Sequence, residues 1–134
     1  MTHGRENMKQ KRILLVMYRR ILADALSRQG KTDPFFDFKA EQNYSAAPLT
    51  AELYQPDIAV LEIPESGEWN AETCFSMGNE IQKAVPSCKL MILCPEKNQA
   101  ACKATIQAKR ENRIDDFLYY DTTINYLFSK LEAL

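Results

Sequence analysis

A doubly wound α/β domain on a five-stranded parallel sheet is the fold class this sequence predicts, from three observations. Three runs are apolar at consecutive rather than alternate positions, as suits strands covered by helices on both faces. The segments between them carry apolar residues at helical spacing. The linkers are short, with no repeat and no low-complexity tract. In order, the strong strands are Ile13-Leu14-Leu15-Val16-Met17, Ile58-Ala59-Val60-Leu61 and Leu90-Met91-Ile92-Leu93-Cys94, the first, third and fourth of the set. Phe35-Phe36-Asp37-Phe38 and Asp116-Phe117-Leu118-Tyr119-Tyr120 supply the second and fifth. The first helix is expected to bury Ile21, Leu22, Ala25 and Leu26; a short second, Leu49, Leu53 and Tyr54; the third, Cys74, Gly78, Ile81 and Val85. A fourth helix, from about Asn98 to Arg110, presents Ala100, Ala101, Ala104 and Ala108, so it buries little side-chain area and is expected to be the most easily displaced. The fifth starts from Asp121 or Thr122 as N-cap and runs through Ile124, Leu127, Phe128 and Leu131. Residues 1–10 read as a disordered leader and residues 11–134 as one domain.

Composition narrows the chemistry. The single histidine, His3, lies in the leader, so His-based triads and multi-His metal sites lack their residues. Cys74, Cys88, Cys94 and Cys102 form no C-x-x-C pair and, with one distant histidine, no zinc site of ordinary spacing; reduced, mostly buried thiols of a cytosolic protein are expected. A net charge of -1 exerts no global pull on nucleic acid or an anionic membrane. The charge is uneven, however: residues 1–31 hold eight basic and two acidic side chains, about +6, and the remainder is about -7. No aromatic or bidentate partners are interleaved with these basic residues, which favours a solvated tail and helix face over a nucleic-acid stripe. The run 13–17 stops at Tyr18-Arg19-Arg20, too short for a secretory signal, and no other run is long enough to span a membrane. The expected location is the cytoplasm.

In an open parallel sheet the functional crevice lies beyond the carboxyl ends of the strands. That rule selects Met17-Tyr18, Glu62, Cys94-Pro95 and Tyr120-Asp121. A phosphate cradle needs glycines at the first turn, and that turn reads Met17-Tyr18-Arg19-Arg20, which argues against Rossmann or P-loop nucleotide binding. Flavin binding of the flavodoxin kind lacks its Ser/Thr-Gly-rich phosphate loop. No cofactor and no metal are therefore expected.

The order of elements and four phrases carry a resemblance. Arg12-Ile-Leu-Leu-Val16 stands as first strand, Pro56-Asp57-Ile-Ala-Val-Leu61 leads into the third, Lys89-Leu-Met-Ile-Leu93 is the fourth and Asp115-Asp116-Phe117-Leu118 the fifth. Over about residues 11–134 the chain resembles the receiver domains of bacterial two-component response regulators. The resemblance implies a flavodoxin-like (βα)5 architecture with strand order 2-1-3-4-5. It also implies a set of polar residues at the strand ends. The family's acidic pair that holds Mg²⁺ corresponds to Met17 and Tyr18, neither a ligand for a hard cation. The phospho-accepting aspartate corresponds to Glu62, one methylene longer, and the metal-binding carbonyl to Pro64. The Ser/Thr that senses the phosphoryl group corresponds to Cys94, the fifth-strand lysine to Tyr120, and the aromatic switch to Phe117, the one match of kind. The family's Met-Pro turn and Asp-Gly have become Glu65-Ser66-Gly67-Glu68-Trp69-Asn70.

With metal and cationic stabilisation both replaced, little of the phosphoryl-transfer mechanism is left, and a degenerate pseudo-receiver without enzymatic activity is expected. Glu62 can be read as a permanent imitation of a phosphorylated aspartate or as the partner of Arg19 or Arg20; the ion pair is favoured, because a buried carboxylate without a partner is costly. Cys94 is read as a space-filler at the pocket rim rather than a redox sensor. Tyr18, Trp69, Tyr119 and Tyr120 are read as plugging the vacated pocket rather than surrounding an aromatic ligand. The expected partner is a protein, or a second copy docking through the fourth helix, fifth strand and fifth helix, where Lys103, Gln107, Arg110, Arg113, Asp115, Asp121, Tyr126 and Lys130 offer charges of both signs. No helix-turn-helix remains within the 134 residues once five crossover units are assigned, so neither direct DNA binding by this domain nor an output domain within these residues is expected. The rival from another class is a flavodoxin-like domain that binds or converts a small ligand with Glu62, Cys94 and Tyr120, Arg19 or Arg20 orienting an anion.

Overall fold

Consecutive apolar residues put side chains on both faces of a sheet, and both faces here are covered. The computed structural model describes residues 10–134; the expected leader, His3 included, lies outside them except for Gln10. Gln10 is held, its side-chain amide donating to the carbonyl of Pro34 at 2.9 Å. The elements are β1 (Lys11–Val16), α1 (Arg20–Gly30), β2 (Phe36–Glu41), a 3₁₀ turn (Tyr44–Ala46), α2 (Ala47–Tyr54), β3 (Ile58–Glu62), α3 (Ala71–Ala84), β4 (Lys89–Cys94), α4 (Gln99–Arg110), β5 (Asp116–Tyr119) and α5 (Ile124–Ala133). The sheet is parallel in the order β2-β1-β3-β4-β5. Ile13, Leu15 and Met17 enter the core that Leu26 of α1 and Leu127 and Leu131 of α5 close; Leu14 and Val16 enter the one closed by α2, α3 and α4.

Three expectations about helix faces and one about a helix cap need correction. α1 packs through Ala23, Leu26 and Gly30, while Ile21 is 86% exposed. Gly30 is used for close approach, since a Cβ there would stand 2.2 Å from the ring of Phe38. α2 packs through Ala47 and Ala51, leaving Leu49 and Leu53 to solvent. Two stripes in this eight-residue helix share the same period, and the small one wins because it lets the helix lie close to its neighbours. In α4 the buried positions are Ala101, Thr105 and Ala108, with Ala100 outside; the Thr105 hydroxyl donates to the carbonyl of Ala101 at 2.7 Å and can therefore be buried. The N-cap of α5 is Thr123, whose hydroxyl accepts the N–H of Tyr126 at 3.1 Å, rather than Asp121 or Thr122.

The basic N-terminal stretch has structural work. Lys11 donates to the carbonyls of Leu131 and Glu132 (3.0 and 2.8 Å) at the end of α5, and Arg12 to that of Tyr54 (2.8 Å) at the end of α2. Both sit where a helix leaves carbonyls without partners and its dipole favours a cation. Asp57 and Asp115 act alike, each accepting a backbone N–H from the start of the adjacent strand, Arg12 and Leu90, at 2.8 Å. Among the described residues no helix is long and apolar enough to cross a membrane.

Candidate functional site

Parallel register lines up Val16 with Leu61, Glu62 with Leu93 and Cys94 with Tyr119, so the loops after β1, β3, β4 and β5 open on one edge of the sheet. Glu62 is the charged residue buried there, with no exposed surface. One carboxylate oxygen accepts the N–H groups of Tyr18 and Arg19 at 2.7 and 2.9 Å; the other accepts from Nε of Arg19. These N–H groups belong to the turn that leads into α1, where no side chain caps the helix and the dipole favours a negative charge. The carboxylate thus anchors the β1–α1 turn to β3.

Around that anchor the polar atoms are nearly all engaged. The Arg19 guanidinium lies 3.8 Å from the centre of the Tyr120 ring, and its Nη2 is the one buried side-chain N or O without a partner among the described residues. The Tyr120 hydroxyl donates to the carbonyl of Ile63, and that of Tyr44 to the carbonyl of Glu62 at 2.6 Å. Burial first, and the Glu62 charge second, push both phenols above their ordinary range, so both stay protonated and donating.

Sequence-selected residues separate on this geometry. Arg20 opens α1 on its exposed side, and of the two arginines it is Arg19 that pairs with Glu62. Met17 is buried in the α1/α5 core, whereas Tyr18 is 71% exposed. Cys94 is fully buried instead of standing at a rim, and burial, then its contact with Cys102, pushes its thiol up to about 12. Phe117 packs against the core that α3 and α4 close and meets Tyr119 edge to face at 5.7 Å. Of the four aromatic candidates, Tyr18 and Tyr120 line one cleft, about 250 Å³, with Arg19, Glu65 and Ser66. Trp69 packs instead on Tyr44, ring centres 5.3 Å apart. A cleft of that size is small for an organic ligand, and the cation in it is already paired.

Sequence reasoning missed Tyr44, which sits in the polar stretch Glu41-Gln42-Asn43-Tyr44-Ser45 with no periodic signal. It missed Asp116 as well. That carboxylate binds Lys130 at 3.1 Å and Lys109 at 3.6 Å. Burial acts to raise it, but the Phe117 N–H and the two ammonium groups outweigh burial and hold it below the usual carboxylate range.

No family model matches the chain, and no curated protein matches its sequence. Solved structures do match. The signal receiver domain of a repressor protein from Vibrio parahaemolyticus superposes with a TM-score of 0.72 at 18% identity, over 93% of this chain and 89% of that one. The chain has the receiver fold. A LuxR-family DNA-binding response regulator from Staphylococcus aureus matches with a TM-score of 0.71 at 18% identity, over 92% and 97% of the two chains. An adenylate cyclase structure from Rhodopirellula baltica matches with a TM-score of 0.75 at 19% identity, over 93% and 87%. The receiver fold implies a divalent cation beside the acceptor carboxylate, and the residues here do not fit one. Met17 and Tyr18 offer no oxygen suited to it, Glu62 has both oxygens engaged, and the Arg19 guanidinium brings positive charge to the same place.

Proposed function

We propose that this receiver-fold chain is a cytoplasmic, non-enzymatic signalling module of two-component type that acts through protein–protein contact and is not switched by phosphorylation of an acidic side chain. The observation that carries this reading is the state of Glu62: the carboxylate at the acceptor place is buried and tied by two backbone N–H groups and Arg19. Phosphoryl transfer requires a free acceptor oxygen and positive charge aimed at the transferring group. Here the positive charge neutralises the acceptor itself. The same pairing favours a fixed ion pair over imitation of a phosphorylated aspartate.

Incubation with acetyl phosphate, or with beryllofluoride, in the presence of Mg²⁺ tests the reading. The expected result is an unchanged intact mass and unchanged fluorescence of Trp69, which reports on the site because it packs on Tyr44, the donor to the Glu62 carbonyl. A mass gain at an acidic residue, or a fluorescence change that saturates with beryllofluoride, overturns it.

The surface proposed for contact is that of α4, β5 and α5, with a second copy of the chain as partner. Asp116 draws in Lys109 and Lys130, while Lys103, Gln107, Arg110, Arg113, Asp121 and Tyr126 stay exposed. Tyr126, 52% exposed, offers an apolar contact to a partner. Light scattering is expected to give a dimer for the wild type and a monomer for Tyr126→Glu. Lys130 is the poorer test, because reversing its charge breaks the bond to Asp116 within one chain. A monomeric wild type removes the homodimer and leaves a different protein as the partner.

A further inference from the structure

We propose that Cys94 and Cys102 are a dithiol that closes to an intramolecular disulfide, which makes the junction of β4 and α4 a reversible thiol-modification site. Cys94 is the last residue of β4, and Cys102 lies in the first turn or so of α4; their Sγ atoms are 3.5 Å apart. A disulfide needs about 2.05 Å, so closure requires roughly 1.5 Å of approach. α4 is the element able to supply it. Its buried positions are Ala101, Thr105 and Ala108, small side chains that forfeit little contact when the helix shifts. The rest of the surroundings are compatible: Sγ of Cys102 faces the carbonyls of Pro95 and Glu96 at 3.5 and 3.7 Å, and Sγ of Cys94 faces the Thr105 hydroxyl at 3.7 Å.

The two sulfurs are unequal. Cys102 is partly exposed and is the one an oxidant in solution reaches, whereas Cys94 is sealed in the core and stays a thiol until its neighbour is activated. The oxidant is of the hydroperoxide class. Sulfur of Cys102 takes one oxygen as the O–O bond of hydrogen peroxide breaks, giving a sulfenic acid and water. Sulfur of Cys94 then attacks that sulfur; the S–S bond forms, the S–O bond breaks, and hydroxide leaves with the Cys94 proton as a second water. Two thiols are oxidised by two electrons in all, one peroxide is reduced to two waters, and a thiol reductant reverses the change. Cys74 and Cys88 differ: both are buried, and their sulfur contacts are to the carbonyls of Glu62 (3.9 Å) and Lys89 (3.4 Å) rather than to a second sulfur.

Closure draws the start of α4 onto the end of β4 and so alters the edge of the surface proposed for partner contact. That consequence rests on the proposed function; the bond does not. The test treats the reduced 134-residue protein with equimolar hydrogen peroxide under native conditions and reads intact mass, thiol count after denaturation, and peptide linkage. Expected are the loss of two hydrogens, a fall from four free thiols to two, a linked peptide pair containing Cys94 and Cys102, and full reversal by dithiothreitol. In Cys94→Ser the mass is expected to rise by oxygen on Cys102, and in Cys102→Ser Cys94 is expected to stay unmodified. Oxygen gained on Cys102 of the wild type without loss of hydrogens, a bond to Cys74 or Cys88, or a bond between two chains overturns the proposal. No outcome depends on phosphorylation or on a partner, so its failure is distinct from that of the proposed function.

Discussion

Glu62→Ala is expected to lower stability by about 3 kcal/mol, because removing one member of a buried ion pair costs roughly 3–5 kcal/mol and leaves its partner uncompensated. Three donors lose their acceptor at once: the N–H groups of Tyr18 and Arg19 and Nε of Arg19. The lower end of the range applies because the Arg19 side chain is 35% exposed and regains water when released. For a domain of this size that is a fall in melting temperature of roughly 10 °C. Glu62→Gln keeps an oxygen for the two backbone N–H groups and loses the charge, so about half the loss is expected. Removing both partners in Glu62→Ala with Arg19→Met is expected to cost less than the sum of the single changes, by roughly 1–3 kcal/mol. Thermal and urea unfolding of the wild type, Glu62→Ala, Glu62→Gln, Arg19→Met and the double variant measures this. A Glu62→Ala protein that melts within the error of the wild type sinks the anchor.

Gly78→Val is the second large effect expected, about 3 kcal/mol of destabilisation, at the upper end for overpacking a core. Gly78 lies mid-way along α3, where glycine costs about 1 kcal/mol against alanine. It is tolerated because the helix lies directly on β3 and β4: a Cβ would stand 3.0 Å from Cδ1 of Leu90 and 3.1 Å from Cδ1 of Leu61. The obstructing atoms are leucine methyls, able to give by a few tenths of an ångström. Gly78→Ala is therefore expected to be near neutral, the helix gain of about 1 kcal/mol offsetting the strain. Valine adds two more carbons between leucines that are essentially inaccessible, with nowhere to go. Urea unfolding at unchanged slope separates the pair, and a valine variant as stable as the alanine one disproves so close a contact.

The fold was legible because a central parallel strand has little alternative: a consecutive apolar run such as 90–94 is buried whichever way it faces. Helix faces were less so. In α2, Leu49 and Leu53 looked like the packing stripe, yet alanines at 47 and 51 have the same spacing, and hydrophobicity cannot tell a stripe chosen for bulk from one chosen for closeness. At the site, placing Glu62 at the strand end needed only the register. Choosing Arg19 over Arg20 needed the backbone, because the extended conformation of Arg19 just before α1 sends the two side chains different ways. Tyr44 was beyond reach, since its role lies in one long-range bond from a polar loop.

Lys11 opens the first strand, and its ammonium holds the last turn of α5. The beginning and the end of the domain are thus fastened to each other, with β1 an interior strand of the sheet. During synthesis Ile13, Leu15 and Met17 emerge first and wait longest, because the face they supply is not closed until Leu127 and Leu131 exist. Contacts of such long sequence separation place folding late, after the whole domain has been made. A nascent chain of this protein therefore carries an apolar strand for the whole time that the helix which covers it is still to be made.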